Sequence, residues 1–430
     1  MTLTATAKLW GTPIGVFHLD ENMGYVSFEY DKDFLRSGIE VSPIMMPLSN
    51  RVYEFPDLAK SSFKGVPGLI ADSLPDKFGN AVIDQWLASH GRLPSSFNVV
   101  ERLCYTGKRG MGALEYEPDN NERREIDEQI SMTRMSDFAS AILEEKTDML
   151  LSSESNVDYK QLLRLGTSAG GARAKAVIAY NGETGEIRSG QVDLGKGFDY
   201  WLVKFDGVSK NGDHNLEDAS EYTLIEYAYY KMALQARLIM SDCKLFSEGG
   251  RNHFMTKRFD RVNGDKLHMQ SLGAMTHIDY NQQGLCSYEM AALTARQLEL
   301  PSSDIEQFFR RMVFNVLAVN QDDHVKNISF LMNRRGVWSL SPAYDITFAY
   351  NLENQWLKAH QMTINGKTSG ITTEDMLACG NKMDLKALKC KKIIEEIQGV
   401  VKQWQDIAHS VGIRKKTIDL IQTVLEKQPS

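Results

Sequence analysis

Cysteine is scarce in this chain. The five residues, Cys104, Cys243, Cys286, Cys379 and Cys390, are odd in number, widely scattered and never spaced as Cys-x-x-Cys. That pattern argues against a disulfide framework or a zinc knuckle and fits a reducing compartment. Long apolar runs are missing as well: nothing approaches the ~20 residues needed to cross a bilayer. The start, "MTLTATAKLWGTPIG", lacks the basic opening and unbroken apolar centre of a signal peptide, so the expectation is a soluble cytoplasmic protein with no membrane contact. Proline is sparse too, at 11 residues, and 42% hydrophobic with 24% charged residues gives enough apolar side chain to offset the entropy of folding. Nor is there an excess of positive charge. A formal net charge of −7 supplies no global field toward nucleic acid or an anionic membrane, so any such contact must be local or made through a partner.

What is there is a chain of 430 residues, long enough for two or three units or one bilobal enzyme. Up to about residue 115 it is strand-like and turn-rich, in "GVFHLD", "GYVSFEY" and "PIMMPLS", interrupted by "PGLIADSLPDKFGNAVIDQWLASHG", a loop entering a helix. The acidic "EPDNNERREIDEQ" (117–129) has no apolar periodicity and reads as an exposed connector. From 158 a glycine-rich turn, a strand and a hairpin signal follow in "RLGTSAGGARAKAVIAYNGETGEI", then a second strand in "DYWLVKF". "EDASEYTLIEYAYYKMALQARLI" opens with short acids and Ser220, as helix starts do, and "HFMTKRFDRV" is another strand. Beyond it the character is helical, in "SYEMAALTARQLEL", "SSDIEQFFRRMVFNVLAV" and two amphipathic stretches between 383 and 427, with one hairpin inserted, "ISFLMNRRGVWSL". No internal repeat or low-complexity segment is present.

The polar loop "NQDDHVKNISF" (320–330) lies between two apolar runs. Asp322 and Asn327 are five apart in it, and Asp345 follows in "SPAYDITF" after the hairpin. Phosphoryl transfer from ATP needs such a set: one carboxylate to accept or orient the attacking hydroxyl, and an amide oxygen with a second carboxylate to hold magnesium. The spacing is that of a protein-kinase catalytic loop, without the usual His-Arg before the first aspartate or Phe-Gly after the last. Taken alone, "QDDH" also reads as a capped, solvated loop. A loop this polar between buried runs, however, brings its carboxylates to the edge of a core, where charge is costly without a cation or ligand.

Lys204 stands on a strand apolar on both sides, where a lone ammonium wants an anion; an edge lysine reaching for water is the alternative. Glu226 interrupts the long helix where Tyr222, Tyr229, Tyr230 and Ala233 share its face, so the two could form the lysine–glutamate pair with which kinases position phosphates. "GTSAGGARAK" (166–175) suits a loop that brings backbone N–H groups to phosphates, with Arg173 and Lys175 adding charge, although it is not a Walker A sequence and glycine-rich turns also connect hairpins.

Together, "GTSAGGARAK", "WLVKF", "EYAYYKMA", "MTKRFDR", "NQDDHVKN" and "LSPAYDI", with "GKRGMGALEYEP" nearer the start, resemble the HipA family over nearly the whole chain. HipA-like proteins are bacterial serine/threonine kinases that form the toxin half of type II toxin–antitoxin pairs. The resemblance implies an α+β, bilobal protein-kinase-like fold: an N-terminal subdomain over 1–120, a β-rich N-terminal lobe over 150–260 and a mainly helical C-terminal lobe over 261–430. It implies ATP and Mg²⁺ as cofactors, Asp322 as catalytic base, Asn327 and Asp345 as magnesium ligands and Lys204 as the phosphate-holding lysine. His324, Val325, Lys326 and Tyr344 would line the nucleotide site. Gly170, Gly171, Ala172, Arg173, Ala174 and Lys175 match the phosphate loop, and Lys257, Arg258 and Phe259 the inter-lobe segment whose backbone meets adenine. Ser168, with Thr167 beside it, matches the autophosphorylated serine, where about two added negative charges would eject the loop from a phosphate site.

This sequence departs from the family pattern in two places. Asp323 stands where some members have glycine, although Asp322 keeps the five-residue step to Asn327, and Arg173 and Ala174 replace more typical loop residues. The partners implied are a small helix-turn-helix antitoxin, HipB-like, with DNA reached only through it, and a protein substrate such as an aminoacyl-tRNA synthetase. Two other functions compete: a small-molecule kinase of the aminoglycoside or choline type, which would carry histidine where Asn320 stands, and a non-catalytic partner of a DNA-binding repressor.

Overall fold

The computed structural model describes residues 3–119, 130–143, 173–190, 197–208, 221–262 and 264–429. Thr167, Ser168, Gly170, Gly171, Ala172 and most of the acidic connector lie outside the described residues. In the front part, strict alternation buries Ala5, Ala7 and Leu9 of β1 (Thr4–Leu9) on one face. β1 pairs antiparallel with β2 (Thr12–Asp20), which pairs with β3 (Tyr25–Tyr30), and β4 (Leu114–Glu117) closes the other edge in the order β3-β2-β1-β4. "PIMMPLS" forms no strand: Pro43 and Pro47 deny it ladder N–H groups, and it is held as a turn by the Tyr30 hydroxyl donating to the Met46 carbonyl.

Numbering only helices of two turns or more, α1 (Lys77–Ser89) and α2 (Val99–Thr106) also fall in this front stretch, and α3 is Met132–Leu143. α1 crosses over. Its Phe78, Val82, Ile83 and Leu87 are buried with Met135, Phe138 and Ile142 of α3 and with Ala176, Ile178, Trp201 and Val203 from a second sheet. That sheet is antiparallel, built from β5 (Lys175–Tyr180), β6 (Ile187–Ser189), β7 (Asp199–Lys204), β8 (Cys243–Glu248) and β9 (Arg251–Lys257) in the order β6-β5-β7-β9-β8. The helix expected near Ser220 is α4 (Tyr222–Gln235), entered through Glu221 at φ 75°.

The rear part carries α5 (Tyr288–Gln297), α6 (Ser302–Leu317), α7 (Thr373–Lys382), α8 (Ala387–Val401), α9 (Trp404–Val411) and α10 (Lys415–Leu425). The region read as two amphipathic stretches thus contains three helices after Lys386, because Gly412, at φ 86°, turns the chain between α9 and α10. After Arg261–Val262 and Asp265–Lys266 (β10 and β11), β12 (His268–Ser271), β13 (Ser329–Met332) and β14 (Trp338–Leu340) form a small antiparallel sheet that includes the expected hairpin.

One apolar core runs from the front sheet, through Phe17, Phe28 and Tyr116, to Tyr229 of α4 and Phe308, Phe309 and Phe314 of α6. Front and rear meet closely at Gly68, where a Cβ would lie 1.9 Å from the Ala274 carbonyl oxygen and where the backbone N–H donates to His277 Nε2 at 2.9 Å. All five cysteines are buried free thiols. Among the described residues no helix is long and apolar enough to cross a membrane. The fold is mixed α/β with antiparallel sheets.

Candidate functional site

α6 is apolar through its last turns and stops at Leu317, after which Val319 turns into the left-handed region at φ 56° and the Asn320 N–H returns to the Asn315 carbonyl at 2.9 Å. The chain then leaves the core as the polar loop, makes one short turn over Val325–Asn327 and re-enters as β13. Asn327 closes the loop: its Nδ2 donates to the Asp322 carbonyl at 2.7 Å, a bond that does not engage its amide oxygen. The two adjacent aspartates part company here. The Asp322 side chain is 48% exposed, with His324 Nε2 3.9 Å from its Oδ1. The Asp323 side chain is 1% exposed and its oxygens accept from the Tyr288 hydroxyl at 2.9 Å and the Gln361 N–H at 2.7 Å, with His360 Nδ1 at 2.9 Å.

Asp345 is brought to this loop by β14 and the turn after it. Its backbone is left-handed, at φ 52°. Asn320 Nδ2 donates to the Asp345 carbonyl at 3.4 Å, and the neighbouring Tyr344 hydroxyl donates to the Lys326 carbonyl at 2.6 Å. Lys204, from the end of β7, sits between two acids: Nζ is 2.6 Å from Glu226 Oε1 and 2.5 Å from Asp345 Oδ1. Burial pushes the Asp345 carboxyl up, but the ammonium groups of Lys204 and Lys175 outweigh it and hold the group at about 2. Burial alone would lower Lys204, and the Asp345 and Glu226 carboxylates carry it above the usual lysine range instead. Burial raises Glu226, against the pull of Lys204. The helix carrying Glu226 is fixed in place by Tyr229, whose hydroxyl donates to the Ala318 carbonyl at the end of α6 at 2.7 Å.

Around this centre, Tyr280 collects two loop side chains, with its ring 5.6 Å from that of His324 and 4.7 Å from Lys326 Nζ. Val325 is buried, and the rings of Phe259 and Tyr344 are 5.7 Å apart. Arg173 lies over the Tyr222 ring at 4.7 Å, Ala174 is buried in the second core, and Lys175 Nζ is 3.6 Å from Asp76 Oδ2.

Lys257 and Arg258 stand apart in their side chains. Lys257 pairs with Asp199 at 2.8 Å, while its N–H donates to the Asp242 carbonyl and that of Arg258 to the Tyr200 carbonyl. The Arg258 guanidinium grips buried Asp260 through Nε at 2.9 Å and Nη2 at 2.7 Å. Arg261 and the Gly112 N–H meet the same carboxylate, tying the "KRGMG" segment to the "KRFDR" segment. Burial works against ionised Asp260, and the two arginines still hold it well below the usual carboxylate range.

Sequence reasoning missed Asp76, Asp260, Tyr288 and His360. Only Asp76 left a local trace, as the helix cap whose carboxylate accepts from the Gly79 N–H. Among the described residues no group of three or more His, Cys, Asp or Glu side chains could hold a metal ion by itself. The hard oxygens on offer, the Asn327 amide and the Asp345 carboxylate, suit a magnesium ion that takes its remaining ligands from phosphates and water.

The fold and this cluster define a mixed α/β protein with a buried lysine and acidic loops at the junction of a sheet and a helical region. The HipA N-terminal domain matches residues 5–117 and the HipA-like C-terminal domain matches residues 167–404. The chain belongs to the HipA family. It is 27% identical over 177 residues to "Putative kinase Y4dM" of Sinorhizobium fredii, covering 39% of this chain and 41% of that protein. It is 28% identical over 159 residues to a "Putative kinase" of Haemophilus influenzae, covering 33% of this chain and 46% of that one. The chain therefore spans less than half the length of these curated relatives. Its fold is similar, at TM-score 0.65 and 15% identity over 98% of this chain and 95% of the other, to a chain of the HipA, HipB and operator DNA complex from the Shewanella oneidensis MR-1 toxin–antitoxin system.

Proposed function

We propose that this protein is a serine/threonine kinase of HipA type, with the bilobal arrangement of that class, using ATP and magnesium and autophosphorylating at Ser168 in the glycine-rich loop. The observation that carries the reading is Lys204 held between Glu226 and Asp345, the first from the helix after its strand and the second from the segment that follows the catalytic loop. A lysine so placed exchanges one carboxylate for a phosphate without being left unpaired. Asp322 is the base: it is exposed enough to meet a hydroxyl, while the Asn327 side chain fixes its backbone. Asn327 and Asp345 would hold the magnesium, which supplies neutralisation of the phosphate charge. His324, Val325, Lys326 and Tyr344 line the nucleotide, the backbone around Phe259 meets adenine, and Gly170–Lys175 cover the phosphates.

Family membership supports a HipB-like helix-turn-helix antitoxin as partner, with DNA reached through it, and a translation-related protein such as an aminoacyl-tRNA synthetase as substrate. Phosphopeptide mass spectrometry after mild induction, comparing wild type with Asp322→Ala, tests this. New phosphoserine or phosphothreonine on protein, dependent on Asp322, is expected. A phosphorylated metabolite with unchanged phosphopeptides would point to a small-molecule kinase, and no change of either kind to a non-catalytic partner.

A further inference from the structure

The kinase reading gives Lys175 to the phosphates but does not say what holds its charge in place. In the register of β5 on β7 it lies directly opposite Lys204, so the two side chains share a face of the sheet, and both residues are buried, at 3% and 5% exposure. Like charges directly opposite in a sheet repel, and a buried ammonium needs an anion. Lys204 has Glu226 and Asp345. Lys175 feels Asp345 and Glu226 as well, but the acid paired with it is Asp76, with side-chain exposures of 3% and 6% across the pair.

Asp76 is not part of the second sheet or of the loops around Asp322. It precedes α1 in the front stretch, and one of its oxygens is committed to the Gly79 N–H at 2.5 Å, which caps the helix. The other, Oδ2, is buried without a hydrogen bond and faces Lys175 Nζ at 3.6 Å. A cap alone needs one oxygen, and an exposed aspartate, serine or asparagine would serve. Burying a second, charged oxygen against an ammonium costs desolvation that capping does not require. Burial pushes the Asp76 carboxyl up to about 6 in spite of Lys175 and lowers Lys175 itself, so the surroundings work against both charges.

We propose that Asp76 is a positioning residue: it holds the Lys175 ammonium beside Lys204, so that two cations receive the phosphate tail of a nucleotide and the front part of the chain sets the affinity for that tail. This rests on the kinase reading. It goes beyond it in making α1, packed on the second sheet from a distant part of the sequence, a working piece of the phosphate site.

Calorimetric titration of the full chain with Mg·ATP and with adenosine, for wild type, Asp76→Asn and Asp76→Glu, tests the proposal without relying on turnover. Asparagine caps helices as well as aspartate does, so the fold is retained, which the thermal midpoint checks. The expected result is that Asp76→Asn weakens ATP about 10- to 100-fold, the range of one charge-assisted hydrogen bond, with adenosine affinity kept and ATP affinity partly restored in Asp76→Glu. Unchanged ATP affinity in Asp76→Asn, or an equal loss for ATP and adenosine, overturns it. Wild type that binds neither ligand overturns the kinase reading and this inference with it, an outcome distinct from the first two.

Discussion

Asp323 Oδ2 lies 2.9 Å from His360 Nδ1, with both side chains less than 5% exposed, immediately beside an aspartate that is half open to solvent. The contact joins the polar loop to the chain after Asp345, so the second acid of "QDDH" is a brace, while the first keeps its side chain half exposed. Asp323→Ala should destabilise the protein by at least about 1–3 kcal/mol, the cost of leaving a buried polar group unsatisfied, because the Tyr288 hydroxyl, the Gln361 N–H and His360 all lose an acceptor. Asp322→Ala should change stability by less than about 0.5 kcal/mol. Urea unfolding of the two variants side by side checks this, and equal losses would count against it.

Asp76 gives a pH dependence of definite sign. Its folded carboxyl sits near 6, above the ordinary aspartate value, so the folded state binds its proton more tightly than the unfolded chain does. That contribution is fully present below about pH 4 and is lost as the pH rises through 6. Asp76→Asn should remove this downward component, so its urea midpoint should fall less than that of wild type between pH 4 and pH 7. A wild-type slope preserved in the variant would refute the assignment.

Gly68 has no room for a side chain, since a Cβ would meet the Ala274 carbonyl oxygen at 1.9 Å and His277 Cδ2 at 2.6 Å. Gly68→Ala must separate the front segment from the short helix at Leu272–Thr276, with an expected cost of about 1–3 kcal/mol. Differential scanning calorimetry should show a lowered midpoint. An unchanged one would mean that the contact yields freely.

Lys204→Met should weaken ATP binding at least as much as Asp76→Asn does, because it removes the ammonium that bridges Glu226 and Asp345. Glu226→Gln keeps a hydrogen-bond acceptor for Lys204 and should lose less. The ranking is read from ATP titrations of the two proteins, and the reverse order would contradict the role given to Lys204.

Much of this arrangement is legible in the sequence wherever one segment carries its own signal. Lys204 is the lone cation of an apolar strand, Glu226 the lone acid of an apolar helical face, and the hairpin between Asn327 and Asp345 shows two apolar runs around "NRRG". What stays hidden depends on partners far away in the chain. Asp76 looks like a cap and is one, but nothing near it announces Lys175, and α1 belongs by sequence order to the front sheet while its Phe78 and Val82 pack on the second. Asp323 has the composition of a solvated loop and becomes buried only because His360 and Tyr288 arrive from two other segments. "PIMMPLS" misleads for a local reason, since apolar content suggests a strand and its two prolines forbid the ladder.

The central claim is that Asp322 serves as the base for phosphate transfer from ATP. Its most direct test is incorporation of label from γ-phosphate-labelled ATP into purified protein, with magnesium, by wild type and by Asp322→Ala at equal nucleotide occupancy. The account predicts labelling of wild type and a loss of about 100-fold or more in the variant, the scale of a removed general base. Equal labelling of both proteins would contradict it.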